Sequence, residues 1–260
     1  MGDSIYDAVP WLERSWSAMA ESRERFLQGS EAWYSRNLSG IDGCVCELGC
    51  GFGRLLVPLA RRGVCVHGMD ASAARVAAAR ELFATLGSGE STFEVLRMPE
   101  VPRGRQFDAV ILALNAIGYV RTFEDKVTLM RGIASILKPG GLLLMDQRRG
   151  SLLLRLVRRW PGLKGKIAQT TGANLVSGLR WDSSASGIRE TFELQAADGT
   201  VQVFHDTFRF CSVSATLRML QASGFRIERC DGGFSGGAFR PWSRTIAIVA
   251  RRTHDTDPGH

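Results

Sequence analysis

The chain is poor in lysine, histidine and tyrosine. Of its 33 basic residues only Lys126, Lys138, Lys164 and Lys166 are lysines, and it holds four histidines and three tyrosines. The arginine excess reads as the mark of a GC-rich coding composition. Six cysteines (Cys44, Cys46, Cys50, Cys65, Cys211 and Cys230) form no Cys-x-x-Cys pair. With histidines so scattered, neither a metal centre nor a structural disulfide is expected. Cysteines within apolar stretches read as small buried hydrophobes. No apolar run approaches the length that crosses a bilayer. Gly2-Asp3-Ser4 is acidic and polar where a leader peptide would be basic and then apolar, so a cytoplasmic location without membrane attachment is expected. What remains is enough for one sizeable core, with 260 residues at 45% hydrophobic content. The net charge of +7 bears on association with anionic substrates or nucleic acid, and not on fold.

The most informative stretch is Val45-Cys46-Glu47-Leu48-Gly49-Cys50-Gly51-Phe52-Gly53-Arg54. A short apolar strand (Cys44 to Leu48) runs straight into three alternating glycines, and a helical pattern follows from about Phe52 to Arg62. Such a loop turns tightly and lets a ligand approach the backbone, which residues without Cβ permit. The helix behind it is expected to aim unpaired N–H groups at that ligand. A dinucleotide loop reads Gly-x-Gly-x-x-Gly. Gly49 and Gly51 fit, but Arg54 stands at the third position, which disfavours a nicotinamide dehydrogenase.

Further strands follow at regular intervals. The second, Val64 to Met69, ends in Asp70, which lies 21 residues beyond Gly49. An acid about 20 residues past the loop, at a strand end, meets ribose hydroxyls, and an ionised carboxylate accepts from both. The competing role for Asp70 is a cap on the helix that opens at Ala71-Ser72-Ala73. His67, inside the strand, reads as a core residue. A third strand (Thr92 to Leu96) precedes Arg97-Met98. A fourth (Phe107 to Ala113) leads into Leu114-Asn115-Ala116-Ile117-Gly118-Tyr119. Thr122 opens a helix with apolar positions at Val127, Met130, Ile133 or Ala134, and Leu137. Leu137-Lys138-Pro139-Gly140-Gly141 is expected to reverse the chain into the strand Leu142 to Met145, after which come Asp146-Gln147-Arg148. Strands apolar on both faces and separated by helices imply a mainly parallel sheet. Ligands sit at the carboxyl ends of such strands, where the glycines, Asp70, Met98, Ala113 to Asn115 and Asp146 to Arg148 all fall.

Three features resemble the class I S-adenosylmethionine-dependent methyltransferases of the small-molecule type. They are Glu-x-Gly-x-Gly-x-Gly at Glu47 to Gly53, the strand opening Phe107-Asp108-Ala109-Val110, and Leu-Lys-Pro-Gly-Gly before strand five. The resemblance covers residues 44–146 and, more loosely, 210–252. It implies an α/β Rossmann-like fold: a seven-stranded mainly parallel sheet, helices on both faces, and the last strand antiparallel. It implies S-adenosyl-L-methionine as cofactor and S-adenosyl-L-homocysteine as product. It places cofactor contacts at Tyr6, Glu47, Gly49, Cys50, Gly51, Gly53, Asp70, Ala71, Arg97, Met98, Ala113, Leu114 and Asn115. The chain departs from the family at Arg97-Met98, where an acid often receives the adenine amino group; Met98 is left to pack on the adenine face. Tyr119 sits where relatives that methylate sugar amines carry a polar aromatic beside the acceptor, and is otherwise a half-buried loop tyrosine. The Asp/Asn-Pro-Pro-aromatic motif of nucleic-acid amino methylases and the Pro-Cys nucleophile of cytosine enzymes are both missing.

The flanks are less defined. Residues 1–43 are aromatic and read as a helical cover or as a lid, with Tyr6 the lid candidate. Residues 148–166 hold seven basic groups (Arg148, Arg149, Arg155, Arg158, Arg159, Lys164 and Lys166) and no acid. They read as a packed helix with a solvated face, an anion-binding wall or a nucleic-acid surface. Residues 150–211 are expected to form a small antiparallel β insertion on the substrate side. Its two alternating arms, Leu179 to Gln195 and Val201 to Cys211, meet at Asp198-Gly199. His205 on the second arm is a candidate proton acceptor, and Arg148 a candidate substrate contact. Ser214 is expected to cap a helix to Ala222, stopped at Gly224. Strands Phe225 to Asp231 and Thr245 to Arg251 close the domain at residue 252, ahead of a flexible tail over 253–260. The leading expectation is methyl transfer to N or O of a small-molecule acceptor that could be anionic, as in natural product biosynthesis, by a chain that could form a homodimer. The alternatives are an RNA methyltransferase docking through 148–166 and a catalytically silent cofactor-binding partner.

Overall fold

The central strands are apolar throughout because both faces of their sheet are covered. The structure is a computed structural model and describes residues 21–86, 89–150, 157, 159, 163–170, 173–183 and 187–253. The main sheet comprises β1 (Cys44–Leu48), β2 (Cys65–Asp70), β3 (Ser91–Val95), β4 (Phe107–Leu112), β5 (Leu137–Arg148), β10 (Phe225–Asp231) and β11 (Thr245–Arg252). Their order is β10-β11-β5-β4-β1-β2-β3, and β11 alone runs antiparallel to its neighbours. This is the expected Rossmann-like arrangement.

Alternation along each strand sends side chains into two cores. Val45, Ile111 and Leu144 face α1 (Glu21–Asn37), α2 (Val57–Ala60) and α3 (Ala73–Leu86). Cys46, Val110 and Leu143 face α4 (Phe123–Ile136) and α5 (Val213–Ala222). Trp33, Tyr34 and Leu38 are at most 1% exposed in the first core. The described part of the N-terminal region is therefore a cover, docked by the Trp33 indole N–H on the Asp231 carboxylate at 2.7 Å. Tyr6 lies outside the described residues. No helix among the described residues is long and apolar enough to cross a membrane.

Several local expectations are corrected. The helix after the glycine loop spans only Val57–Ala60. Gly51 and Gly53 have φ of 54° and 80°, outside the helical region, so residues before it form turns. Lys138 to Gly141 do not reverse the chain. They lie within β5 as an outward irregularity, since Phe107 pairs with Leu137 but Ala109 with Leu142. Ser212, not Ser214, caps α5, accepting from Ala215 N at 3.1 Å, because Ser212 is the residue with extended backbone. Cys44 and Cys65 form a disulfide, contrary to expectation. They are register partners at the starts of two parallel strands, with Cα atoms 4.4 Å apart, a closeness that chain spacing does not reveal.

A second sheet holds β6 (Leu163–Thr170), β7 (Ala173–Asp182), β8 (Gly187–Ala196) and β9 (Val201–Phe208), antiparallel in that order. The Asp198-Gly199 hairpin is present between β8 and β9, with Gly199 at φ 86°. The first expected arm is two strands, divided after Asp182. Residues 163–166 lie on a strand rather than a helix. Residues 151–156, 158 and 160–162 of the basic segment, and 254–260 of the tail, fall outside the described residues.

Replacing Trp33 by Phe removes a buried donor from a charged acceptor and part of an aromatic contact with Tyr34 at 4.9 Å. A loss of roughly 2–3 kcal/mol is expected. It would appear as a lower urea midpoint at unchanged slope.

Candidate functional site

Parallel pairing brings the carboxyl ends of β1, β2, β3 and β4 to one edge. The glycine loop crosses that edge. Gly49 has φ 76°, and a Cβ placed there would lie 3.7 Å from Ala116 Cβ and 3.9 Å from Met98 Cε. Gly53 is held tighter, since a Cβ would come within 2.6 Å of the Phe83 ring. The loop spends its N–H groups internally. Gly49 and Cys50 donate to Met69 O at 2.7 and 2.9 Å, and Gly53 donates to Cys50 O at 2.8 Å. Gly51 donates to Asp70 Oδ2 at 2.9 Å. The expectation of N–H groups aimed at a ligand from the following helix is not met, because that helix is one turn long and its approach is made of these bonded turns.

Asp70 is 8% exposed and holds the edge together. Besides Gly51, its other oxygen accepts from Ser72 N at 2.9 Å. Ser72, not Asp70, gives the first-turn bond of α3, its Oγ lying 3.3 Å from Arg75 N. Each oxygen of Asp70 thus carries one N–H and keeps further acceptor capacity. Ala71 and Arg97 are exposed beside it, and Met98 is half-buried. His67 is a core residue, 6% exposed, with its ring nitrogens 2.7 Å from Thr92 Oγ1 and 2.9 Å from Glu94 Oε1.

The turn after β4 is strained. Leu114 and Asn115 have φ of 54° and 61°, in a region that costs a side-chain-bearing residue about 1 kcal/mol or more. Both N–H groups converge on Asp146 at the end of β5, Leu114 N at 2.7 Å from Oδ1 and Asn115 N at 3.1 Å from Oδ2. Tyr34 of α1 donates its hydroxyl to Oδ1 at 2.8 Å. Burial raises the Asp146 carboxyl, against the lowering effect of these donors. Burial, and then the Asp146 charge, hold the Tyr34 phenol well above its ordinary range, with Glu47 adding to the rise, so Tyr34 stays a donor. The Asn115 side chain was expected to reach the cofactor. Instead its Oδ1 accepts from Arg148 N at 3.1 Å, and its Nδ2 sits where a Cβ on Gly118 would come within 2.5 Å. It braces the turn. The Arg148 side chain is exposed at the same strand end. The sequence places Asp146 at the ligand-facing strand ends but assigns it no contact, and Tyr34 enters only as one of the aromatics of residues 1–43. The available signal was an acid closing the apolar run Leu142 to Met145.

Past this turn, a 3-10 segment (Ala116–Tyr119) carries Tyr119, 37% exposed. Buried Lys126 of α4 donates to Ile117 O at 2.9 Å and also to Val120 O, fixing the segment from below. The second sheet attaches here, through Arg209 N to Gly118 O at 2.9 Å and the Phe208 ring 6.3 Å from that of Tyr119. Alternation along β9 then decides which residues turn inward. Phe208 and Asp206 share the inner face, and Asp206 feels the charges of Arg97 and Arg75. His205 is on the other face, exposed, 3.1 Å from Thr191 Oγ1. The structure therefore does not bring His205 to Tyr119, a correction to its expected catalytic role. The clue in the sequence was Phe204 and Phe208, which flank Asp206 at a spacing of two and mark the buried face.

Burial pushes the Asp206 carboxyl up to about 6, helped by cross-strand Glu190 and opposed by Thr207 N–H, Arg97 and Arg75. Between its ordinary value and about 6 the folded chain holds a proton that the unfolded chain has lost, so this contribution to stability falls as pH rises through that window. Asp206→Asn removes it. The variant should gain on the wild type by several degrees of melting temperature between about pH 4 and pH 6.5. A constant difference across that range would count against the assignment.

Residues 45–141 match the methyltransferase domain family. A curated relative, cypemycin N-terminal methyltransferase from a Streptomyces species, is 28% identical over 234 residues, which is 86% of this chain and 89% of that protein. A ubiquinone biosynthesis O-methyltransferase from Bradyrhizobium is 32% identical over 144 residues, 55% of this chain and about half (49%) of the relative. Among solved structures, the CcbJ methyltransferase from Streptomyces caelestis superposes with a TM-score of 0.74 at 21% identity, covering 87% of this chain and 90% of that one. In its glycine loop, its strand order and the matched residues 45–141, the chain is similar to the class I S-adenosylmethionine-dependent methyltransferases.

Proposed function

We propose that the chain moves a methyl group from S-adenosyl-L-methionine to a nitrogen or oxygen of a small molecule, in the manner of natural product biosynthesis. The observation that carries this reading over a dinucleotide enzyme is the internal use of the loop N–H groups. A pyrophosphate is held by free backbone donors at such a loop, and here those of Gly49, Cys50, Gly51 and Gly53 are already bonded within the protein. A ligand with a ribose and a flat base but no phosphate suits the edge. Gly49, Cys50, Gly51 and Gly53 let it approach, and Asp70 accepts from the ribose hydroxyls with Ala71 beside it. Met98 packs on the base with Arg97 at the rim. Ala113 and Leu114, braced by Asn115, with Glu47 behind, form the far wall.

When bound, the sulfonium supplies a methyl group already activated for direct displacement. The chain's own residues then have to align the acceptor and exclude water. Tyr119 and Phe208 form an aromatic wall for this, and Arg148 offers a cation to an acidic acceptor group. Asp206 is the carboxyl near neutrality, available to take a proton from an acceptor that arrives protonated. Nitrogen is favoured as the acceptor atom by the similarity to the N-terminal methyltransferase, which runs along most of both chains, whereas that to the O-methyltransferase spans about half of each.

Asp70→Ala should weaken binding of S-adenosyl-L-homocysteine at least tenfold, about 1.4 kcal/mol, in isothermal titration. Equal affinity in that variant would remove the ribose role. Given methyl-labelled cofactor and host extract, the protein should label the small-molecule fraction. Label confined to RNA would replace this reading with the nucleic-acid one, and its binding would then fall steeply with salt.

A further inference from the structure

The Asp146 carboxylate is 1% exposed and receives three donors from two directions. From β4 come the successive N–H groups of Leu114 and Asn115, and from α1 comes the Tyr34 hydroxyl. Consecutive N–H groups that converge in this way form a small nest with a preference for an anion. Here the anion is the protein's own. Two adjacent left-handed residues with side chains would otherwise relax toward ordinary backbone angles. Relaxation would shift Leu114, release the Asn115 brace on Arg148 N, and move the start of the segment that carries Tyr119.

We infer that Asp146, oriented by Tyr34, is a positioning residue that fixes the β4 turn for the methyl donor, so that helix α1 is a working part of the donor site and not only its cover. The inference rests on the methyltransferase reading above. Asp146 is sealed from solvent and acts through Leu114 and Asn115. A neutral amide cannot replace it. Asn offers one acceptor oxygen and would set an NH2 group against N–H or O–H donors. Tyr34→Phe is milder, since it keeps the ring in the core and removes only the hydroxyl that orients the carboxylate. Trp33 provides the matched comparison. It neighbours Tyr34 on the same helix and is equally buried, but its bond goes to Asp231 on β10, far along the sheet from the turn.

The test is isothermal titration of S-adenosyl-L-homocysteine into the full chain and its variants, with melting temperature measured alongside. Asp146→Asn should bind at least tenfold more weakly, and Tyr34→Phe about threefold to tenfold more weakly. Trp33→Phe should lose melting temperature yet keep wild-type affinity. The inference is overturned if Asp146→Asn and Tyr34→Phe bind as the wild type does. It also fails if Trp33→Phe weakens binding as much as Tyr34→Phe, which would mean that any loosening of α1 suffices. Should Asp146→Asn not fold, the contrast between Tyr34→Phe and Trp33→Phe decides alone. A wild type that binds no S-adenosyl-L-homocysteine would instead defeat the parent reading, an outcome separable from every variant result.

Discussion

The parallel pairing of β1 with β2 on one side and β4 on the other is the constraint on which the rest depends. Leu48 is in register with Met69, and Glu47 with Ile111. A slip of one residue would exchange the two faces of β1, turning Val45 and Cys46 into each other's cores. Both faces are closed by helices, so the pairing has no tolerated alternative. Once it is set, the strand ends at Leu48, Asp70, Val95 and Leu112 must lie along one edge, and the loops that leave them must meet.

That edge is where the fold would leave backbone groups unpaired, and the protein deals with them by placing buried polar side chains at the last positions of its strands. Asp70 closes β2 and binds the N–H groups of Gly51 and Ser72. Asp146, near the end of β5, binds those of Leu114 and Asn115. Gln147 next to it donates to Cys211 O at 2.8 Å and accepts from Thr216 Oγ1 at 2.7 Å, tying the exit of the second sheet and helix α5 to the same edge. Buried polar groups cost free energy unless they are bonded, and each of these is bonded to a loop. The edge is therefore preorganised before any ligand arrives. The loops keep their positive φ angles because charge-assisted bonds hold them there.

How much of this was legible in the sequence depends on whether the deciding contact is local. The glycine loop, the place of Asp70 at the end of its strand, the capping of α4 by Thr122 and the Asp198-Gly199 hairpin are set within a few residues or a fixed spacing, and they were readable. The Cys44–Cys65 disulfide depends on the register of two strands, and the Tyr34–Asp146 bond spans 112 residues of chain. No periodicity reports either. The choice between His205 and Asp206 is a different failure. Histidine drew attention for its chemistry, whereas the two-residue period of β9 and the phenylalanines around Asp206 already indicated the inward face. On α4 the expected Met130 and Ile133 lie on the buried stripe, which also takes in Leu129, Ile136 and Lys126, the last 2% exposed under the Tyr119 segment, while the expected Val127 is only half-buried.

The two halves of the proposed site differ in how tightly the chain determines them. On the donor side, each residue answers to strand register, two cores and a buried carboxylate at once, and few substitutions satisfy all three. Among the described residues, the second sheet and the segment leaving it touch that edge through Arg209 N on Gly118 O, Phe208 on Tyr119, and Gln147 on Cys211 O. Its inner face follows the alternation of β8 and β9, where exchanging one inward residue alters the lining without disturbing the main sheet. Acceptor choice is then expected to lie with Asp206, Phe208 and Glu190, residues free to vary on a constant donor platform. This division explains why sequence motifs identify the family and its donor yet leave the acceptor unnamed. The motifs encode the platform, and in the proposed site the acceptor would meet side chains whose shared requirement is to point inward.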